Sequence, residues 1–349
     1  MSVRIKDIAK LANVSSGTID RVIHNREGVS ELTKQKVAAI LKELNYQPDI
    51  FARTLSSKKN YNFSVLMPVS DNGNNFWNSP VIGISKALGE IAPFGVKVKK
   101  YLFDQYDRES FAAKAFELLS DNPDGVLFAP GFLDFSIKFI NECHKKNIPI
   151  TLFNSIIENI EISSYIGQDS SKSGYLGARL IHYGINGKAD VLVINIAARK
   201  DNYNHIIQRE KAFRKYFEEH PESGLNIHTI ETNHASDQRI KDEFLNAFQK
   251  YNVKGVFVTN SRVYKIAEHI YKENLKDIRL IGYDLLPQNI EYLKNDTINF
   301  LISQRPEEQG YIGIMTLFNL IVLKKEIEAK HFIPIDIITK ENIDYYKLQ

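Results

Sequence analysis

The side chains best equipped for recognition in this 349-residue chain stand directly after short apolar runs. Asn74-Asn75-Phe76-Trp77 follows the run Phe63–Pro68, Asn154-Ser155 follows Ile148–Phe153, and Ser236-Asp237 follows Asn226–Glu231. Asn260 follows Gly255–Thr259, Asp284 follows Leu280–Tyr283, and Gln304 follows Asn299–Ile302. Amides and carboxylates donate to and accept from a polar ligand, while Phe and Trp offer flat apolar faces. That set suits holding a small polar molecule. Covalent chemistry lacks its parts: there is no G-x-G-x-x-G after a strand, no phosphate-binding Walker loop and no G-x-S-x-G elbow. The nine histidines show no HxxxH or clustered spacing, and the single Cys143 can form neither an internal disulfide nor a structural zinc site. No cofactor or metal is expected, and no enzyme activity.

The apolar runs are the strands of a parallel-sheet fold. Phe63–Pro68, Val96–Phe103, Gly125–Ala129, Ile148–Phe153, Ser164–Ile166, Val191–Ile196, Asn226–Glu231, Gly255–Thr259, Leu280–Tyr283 and Asn299–Ile302 alternate with helix-like stretches. Two open α/β lobes meeting at a cleft bring ligands to the carboxyl ends of their strands, where those polar residues lie. Ahead of them stands a separate pattern. Ile5, Ile8, Ala9, Leu11 and Ala12 give one short helix that stops at Asn13-Val14-Ser15, and Ser15 and Ser16 offer caps for a second helix through about Ile23. Ser30 caps a third to about Asn45, with Val37, Ala38, Ile40, Leu41 and Leu44 turned inward. Two short helices across a tight turn, braced by a third, aim the start of the second outward, so Ser16, Thr18 and Arg21 face DNA.

Charge separates the same two regions. Residues 1–60 carry eleven Lys/Arg against six Asp/Glu, whereas the rest of the chain carries thirty-four against thirty-six. A basic head on a nearly neutral body fits a nucleic-acid contact by the head. The length accommodates two or three domains. No apolar run is long enough to span a bilayer and no signal-peptide layout opens the chain, so a cytoplasmic protein is expected.

Ile5-Lys6-Asp7-Ile8-Ala9, Val14-Ser15, Thr18-Ile19, Arg21-Val22, Val29-Ser30 and Leu44-Asn45-Tyr46-Gln47-Pro48 together resemble the DNA-binding head of the lactose/galactose-repressor family. The resemblance implies DNA contacts by Ser15, Ser16, Thr18, Arg21 and Asn25, followed by a hinge in which Ala52-Arg53-Thr54-Leu55 matches the family's Ala-Arg-x-Leu segment. Ala52, Arg53 and Leu55 then contact DNA, with Leu55 wedged into the minor groove, where an apolar side chain unstacks a base step and kinks the duplex. Two departures bar transfer of an operator sequence: Gly17 has no side chain with which to read a base, and Asp20 places a carboxylate near phosphates unless Arg21 or water screens it.

The body resembles the periplasmic sugar-binding proteins, the ribose-binding type especially. That resemblance implies a ligand site of Asn74, Phe76, Trp77, Asn154, Arg209, Asn260, Asp284 and Gln304, in which rings stack on a sugar and the amides, carboxylate and guanidinium satisfy its hydroxyls. Asn154 replaces the aspartate more common at its position. The expected organisation is a helix-turn-helix domain over 1–46, a hinge over 47–60, and a two-lobed domain with two doubly wound parallel sheets over 61–349. Lobe one takes about 61–161 and 303–326, and lobe two about 162–298 and 330–349, with crossings near Glu161, near Thr297 and after Leu323. The expected function is a sequence-specific transcription regulator, a repressor of carbohydrate-utilisation genes. Its partners are palindromic double-stranded operator DNA, a small sugar or polyol, and a second copy in a homodimer or a higher assembly.

Overall fold

The computed structural model describes residues 5–23, 26–44, 59–70, 75–197, 204–232 and 237–346. Two compact units divide the chain, Met1–Ser57 and Lys58–Gln349, so the boundary falls a few residues before the expected start of the body.

In the smaller unit α1 spans Ile5–Ala12, α2 Ser16–Ile23 and α3 Glu31–Glu43. The turn after α1 rests on Asn13, whose φ of 55° is the left-handed conformation that asparagine tolerates better than most residues. It lets the Val14 N–H return to the Ala9 carbonyl at 3.0 Å. Ser15 then caps α2, its Oγ accepting from the Thr18 N–H at 3.1 Å, and Ser30 caps α3 by accepting from the Thr33 N–H. Ile8, Ala9, Ala12, Ile19 and Val37 form a small common core, lined by Ile40, Leu41 and Leu44. Leu11 and Ala38, expected to face inward, are exposed instead: that core holds only one narrow stripe of each helix.

The larger unit contains two six-stranded sheets. The first has the order β11-β5-β4-β3-β1-β2, with β1 Tyr61–Pro68, β2 Val96–Phe103, β3 Gly125–Phe128, β4 Ile150–Phe153, β5 Ser164–Gln168 and β11 Lys330–Ile333. The second has the order β12-β10-β9-β8-β6-β7, with β6 Ala189–Ile196, β7 Leu225–Thr232, β8 Val253–Val258, β9 Arg279–Tyr283, β10 Phe300–Ser303 and β12 Asp336–Ile338. All pairings are parallel except β10 with β12. Strands such as Gly125–Phe128 and Ile150–Phe153 are buried on both faces, because helices cover both sides of each sheet. The first sheet carries α4 Asn78–Ile91, α5 Arg108–Ser120, α6 Leu133–Lys145 and α12 Pro306–Leu317. The second carries α7 Ser170–Tyr183, α8 Asn204–Glu219, α9 Asp237–Lys250, α10 Val263–Lys272 and α11 Pro287–Lys294.

The chain passes between lobes later than the sequence suggests. Residues 164–168 and 330–333 pair within the first sheet, so the passages lie after Gln168, between Ser303 and Pro306, and between Ile333 and Asp336, rather than near Glu161, near Thr297 and after Leu323. The two short strands responsible, β11 and β12, have no apolar run: Lys330–Ile333 is a partly exposed edge and Asp336–Ile338 has three residues. Gln168 ties the three passages together, its Nε2 donating to the Ser303 carbonyl at 2.9 Å and to the Pro334 carbonyl at 3.4 Å. Arg305 adds a two-pronged bond to Asp336, Nε to Oδ2 at 2.6 Å and Nη2 to Oδ1 at 3.0 Å.

Candidate functional site

A cavity of about 60 Å³ lies between the lobes at the carboxyl ends of both sheets. Phe76, Trp77 and Asn154 line it from the first lobe, and Arg209, Asn260, Asp284 and Gln304 from the second. Seven of the eight expected ligand residues thus share one cavity, and the eighth, Asn74, lies outside the described residues.

The sheet ends dictate the residue types. Asn154 follows β4 with φ 67° and Asp284 follows β9 with φ 69°, corresponding left-handed bends that short polar side chains accept at low cost. Each bend turns a side chain off the end of its strand. Phe76 and Trp77 form a short 3-10 turn that leads into α4, with ring centroids 5.0 Å apart and planes at 89°. Trp77 also meets Phe153 edge-on at 6.2 Å, so these rings belong to the first lobe's core as well as to the cavity wall.

Arg209 comes from the middle of α8 and is only 1% exposed. Its helix reaches the sheet through a glycine: a Cβ on Gly174 of α7 would stand 2.2 Å from the Arg209 carbonyl oxygen, so only glycine lets α7 and α8 approach this closely. The guanidinium lies 3.6 Å over the Tyr283 ring, donates from Nη1 to the Thr259 carbonyl at 2.8 Å, and from Nη2 to Gln304 Oε1 at 2.5 Å. Gln304 passes the chain on, Nε2 donating to Asp284 Oδ2 at 2.8 Å. Two buried polar atoms of this set have no hydrogen-bond partner, Arg209 Nε and Asp284 Oδ1. A buried unpaired donor or acceptor costs about 1–3 kcal/mol. Burial pushes the Asp284 carboxyl up to about 6, against the opposing pull of Arg209 and Gln304. Burial, helped by the Arg209 charge, also drives His205 well below the usual imidazole range, so that ring is neutral.

Asn260 has a different disposition. Its Nδ2 donates to the Ile196 carbonyl at 2.7 Å and its Oδ1 accepts from the Arg262 N–H at 3.1 Å, so both ends of the amide hold the loop after β8. Ser155 is buried but does not line the cavity, and Asp237 pairs instead with Lys265 on the flank of the second lobe. Gln105, Tyr106, His205 and Arg262 line the cavity without having been singled out in the sequence. Gln105 and Tyr106 follow β2, one of the first-lobe strand ends for which the sequence suggests no recognition residue. His205 precedes Arg209 by one helical turn, and Arg262 follows Asn260 by two residues.

Among the described residues, hydrogen bonds join the lobes around the cavity in three places. The Arg262 guanidinium donates to the Tyr106 hydroxyl, Asn204 Nδ2 donates to the Ile156 carbonyl at 3.0 Å, and Gln208 Nε2 donates to Glu158 Oε1 at 2.8 Å. Asn204 and Gln208 are one turn apart on α8, and both reach the loop after β4.

In the smaller unit Ser15 and Ser16 are exposed at the start of α2, Thr18 is half-buried and Arg21 is exposed further along it. The two serines divide their work: Ser15 caps the helix and Ser16 stands clear on the surface. Asp20 is paired with Arg26 at 3.2 Å, so the neutralising charge comes from the loop after α2 rather than from Arg21. Asn25, Ala52, Arg53 and Leu55 lie outside the described residues.

Comparison with known proteins agrees with both units. Residues 4–49 match the family of bacterial regulatory proteins, lacI family, and residues 63–326 match the periplasmic binding protein domain. A putative LacI transcriptional regulator from Bacteroides fragilis has a similar solved structure, with 32% identity, TM-score 0.77, and coverage of 83% of this chain and 100% of that one. A probable HTH-type transcriptional repressor, ExuR, from Bacillus subtilis is 25% identical over 94% of this chain and 93% of its own length. The sucrose operon repressor of Pediococcus pentosaceus is 26% identical over 97% of this chain and 98% of its own. At the level of fold alone, a glucose-galactose binding protein from Geobacillus stearothermophilus superposes with TM-score 0.72 at 23% identity, over 82% of this chain and 99% of that one. Among the described residues no helix is long and apolar enough to cross a membrane. The helix-turn-helix head, the paired doubly wound sheets and these matches together place the chain in the LacI family of bacterial transcription regulators, DNA-binding proteins rather than enzymes.

Proposed function

We propose that this regulator binds a palindromic operator in the cytoplasm as a homodimer and represses carbohydrate-utilisation genes under the control of a neutral monosaccharide or polyol held between its lobes. The observation that carries the reading is the buried pair Arg209 Nε and Asp284 Oδ1, a donor and an acceptor without partners in a cavity walled by Phe76 and Trp77. Sugar hydroxyls both donate and accept, so they satisfy both atoms, and the C–H face of a sugar ring suits the two aromatic rings. Proteins of the same fold are described in complex with D-arabinose and D-allose, and relatives over nearly the whole chain include a sucrose operon repressor.

On the DNA side, one head of this size buries too little surface for specific affinity, and two-fold proteins match two-fold sites. Ser15, Ser16, Thr18, Arg21 and Asn25 supply the head's contacts in this reading, and Ala52, Arg53 and Leu55 those of the hinge. Thermal-shift measurements with D-glucose, D-galactose, D-arabinose, D-allose, D-tagatose and the common polyols test the sensor half. A rise in Tm with one of them is expected. No shift with any pentose, hexose or polyol would refute the sensor.

A further inference from the structure

Gln304 was read from the sequence as a ligand contact, and its surroundings give it another task. Its amide is oriented by chemistry: the oxygen faces the Arg209 guanidinium at 2.5 Å and the nitrogen faces the Asp284 carboxylate at 2.8 Å, whereas the reverse orientation would set donor against donor and acceptor against acceptor. Side by side in a site this buried, a guanidinium and a carboxylate would otherwise close into a direct ion pair and use the atoms a ligand needs. The inserted amide keeps them apart, and Arg209 Nε and Asp284 Oδ1 remain buried without a hydrogen-bond partner.

The backbone that carries this amide is fixed on every side. The Ser303 carbonyl accepts from Gln168, the Gln304 carbonyl accepts from Gln309 Nε2 at 2.8 Å, and Arg305, in the left-handed region at φ 46°, is bound to Asp336. Gln304 therefore sits within the second passage between lobes, where the three passages are tied together.

We propose that Gln304 is a positioning residue, which spaces Arg209 from Asp284 and so leaves one atom of each unpaired for the ligand. The proposal rests on the sugar-site reading for what is presented, but not for the spacing itself. Among the described residues, the charged and titratable groups that share the Asp284 cavity are Arg209, Arg262, His205 and Tyr106, with Tyr283 beneath Arg209. Burial holds His205 neutral and keeps Tyr283 un-ionised at the pH values used below.

Two measurements on the full chain test it. Carbon-13 NMR of the ligand-free protein follows the Asp284 carboxyl, which burial pushes up to about 6. Gln304→Met fills the same space without an amide, so Arg209 stays apart and loss of the donor moves that midpoint up by about one unit, whereas Gln304→Ala leaves the space empty and closure of Arg209 onto Asp284 moves it down. An unmoved midpoint in Gln304→Met, or one that does not fall in Gln304→Ala, overturns the proposal. Calorimetric titration then uses D-glucose, D-galactose, D-arabinose, D-allose and D-tagatose as probes. Gln304→Met weakens any that binds the wild type by at least tenfold at every pH. Gln304→Glu restores binding to within threefold near pH ~5.5, where one proton shared between two carboxylates rebuilds the chain of hydrogen bonds, and loses it by pH ~8.5, where both are charged. Gln304→Met binding like the wild type, or a Gln304→Glu variant indifferent to pH, also overturns the proposal. If none of the five sugars binds the wild type while the Asp284 midpoint still moves, the sugar reading fails and the positioning role stands.

Discussion

The two walls of the interlobe cavity are built on different principles. The second-lobe wall carries Arg209, Asp284 and Gln304, each at least nine-tenths buried and joined by hydrogen bonds before any ligand arrives. The first-lobe wall is mainly aromatic, with Phe76 and Trp77 taken from that lobe's own core and Asn154 half-buried beside them. Most of the buried polar groups of the cavity therefore belong to one lobe and most of its aromatic surface to the other. In the proposed sensor, affinity then depends on closing one wall on the other, and closure on the hydrogen bonds that cross the cleft.

The comparison breaks most directly at Arg209. Arg209→Ala removes the charge-assisted donor and leaves Asp284 buried without its counter-charge, so ligand affinity is expected to fall at least ~100-fold, about 3 kcal/mol, with ligand-free operator binding near normal. Calorimetry and operator titration on the same preparation check both halves of that statement.

Asp284 gives an effect of similar size on stability. Burial pushes its carboxyl up to about 6 in the folded state, above the ordinary 3.8, so the folded state holds its proton more tightly. A folded pKa raised in this way contributes stability that is full below pH ~4 and is lost as pH climbs through about 6, up to ~3 kcal/mol by linkage. Asp284→Asn is expected to abolish that loss, and hence to unfold at a higher Tm than wild type at pH ~7 while failing to bind sugar. Denaturation at a series of pH values compares the two. Parallel stability curves for wild type and variant would show that Asp284 titrates normally.

The head offers a contrast of its own, between reading bases and holding shape. Arg21 is exposed on α2, and Arg21→Ala is expected to cost ~1–3 kcal/mol on the cognate operator and much less on random DNA. Equal losses on both would make it a phosphate contact. The cross-lobe bonds from Asn204 and Gln208 lie outside the cavity, so Gln208→Ala and Asn204→Ala sharpen the comparison without touching the ligand. Each is expected to weaken apparent sugar affinity about two- to tenfold by lowering the closed population. Smallest of all is the exposed Asp20–Arg26 pair, at most ~1 kcal/mol; Arg26→Ala is expected to leave Tm nearly unchanged while weakening operator binding, since one positive charge of the head is lost beside the Asp20 carboxylate.

What could be read from the sequence follows from how local each signal is. Asp284 and Asn154 were visible because a polar residue at the end of an apolar strand has a defined place in any parallel sheet. The head helices were visible through Ser15, Ser30 and a stop at Asn13, all local signals. Arg209 was not visible in this way, since an arginine inside a polar helix is ordinarily on the surface; only the resemblance to sugar-binding proteins pointed to it. Its burial depends on Gly174, a contact with another helix that no local pattern reveals. Tyr106 and Arg262 went unnoticed because their meeting requires both lobes at once. The passages between lobes were misplaced for a related reason: β11 and β12 are strands only because β5 and β10 stand beside them.

A ligand in this cavity is proposed to govern the affinity of the head for DNA. The measurement is a titration of operator with the full-length protein, with and without a saturating amount of the sugar found by thermal shift, for wild type and Arg209→Ala. Wild-type affinity is expected to change about five- to 150-fold, a coupling of ~1–3 kcal/mol, and the sugar's own affinity is expected to change by the same factor when operator is bound. The variant should show no such change. A wild type whose operator affinity is indifferent to a sugar that binds it tightly would contradict the account.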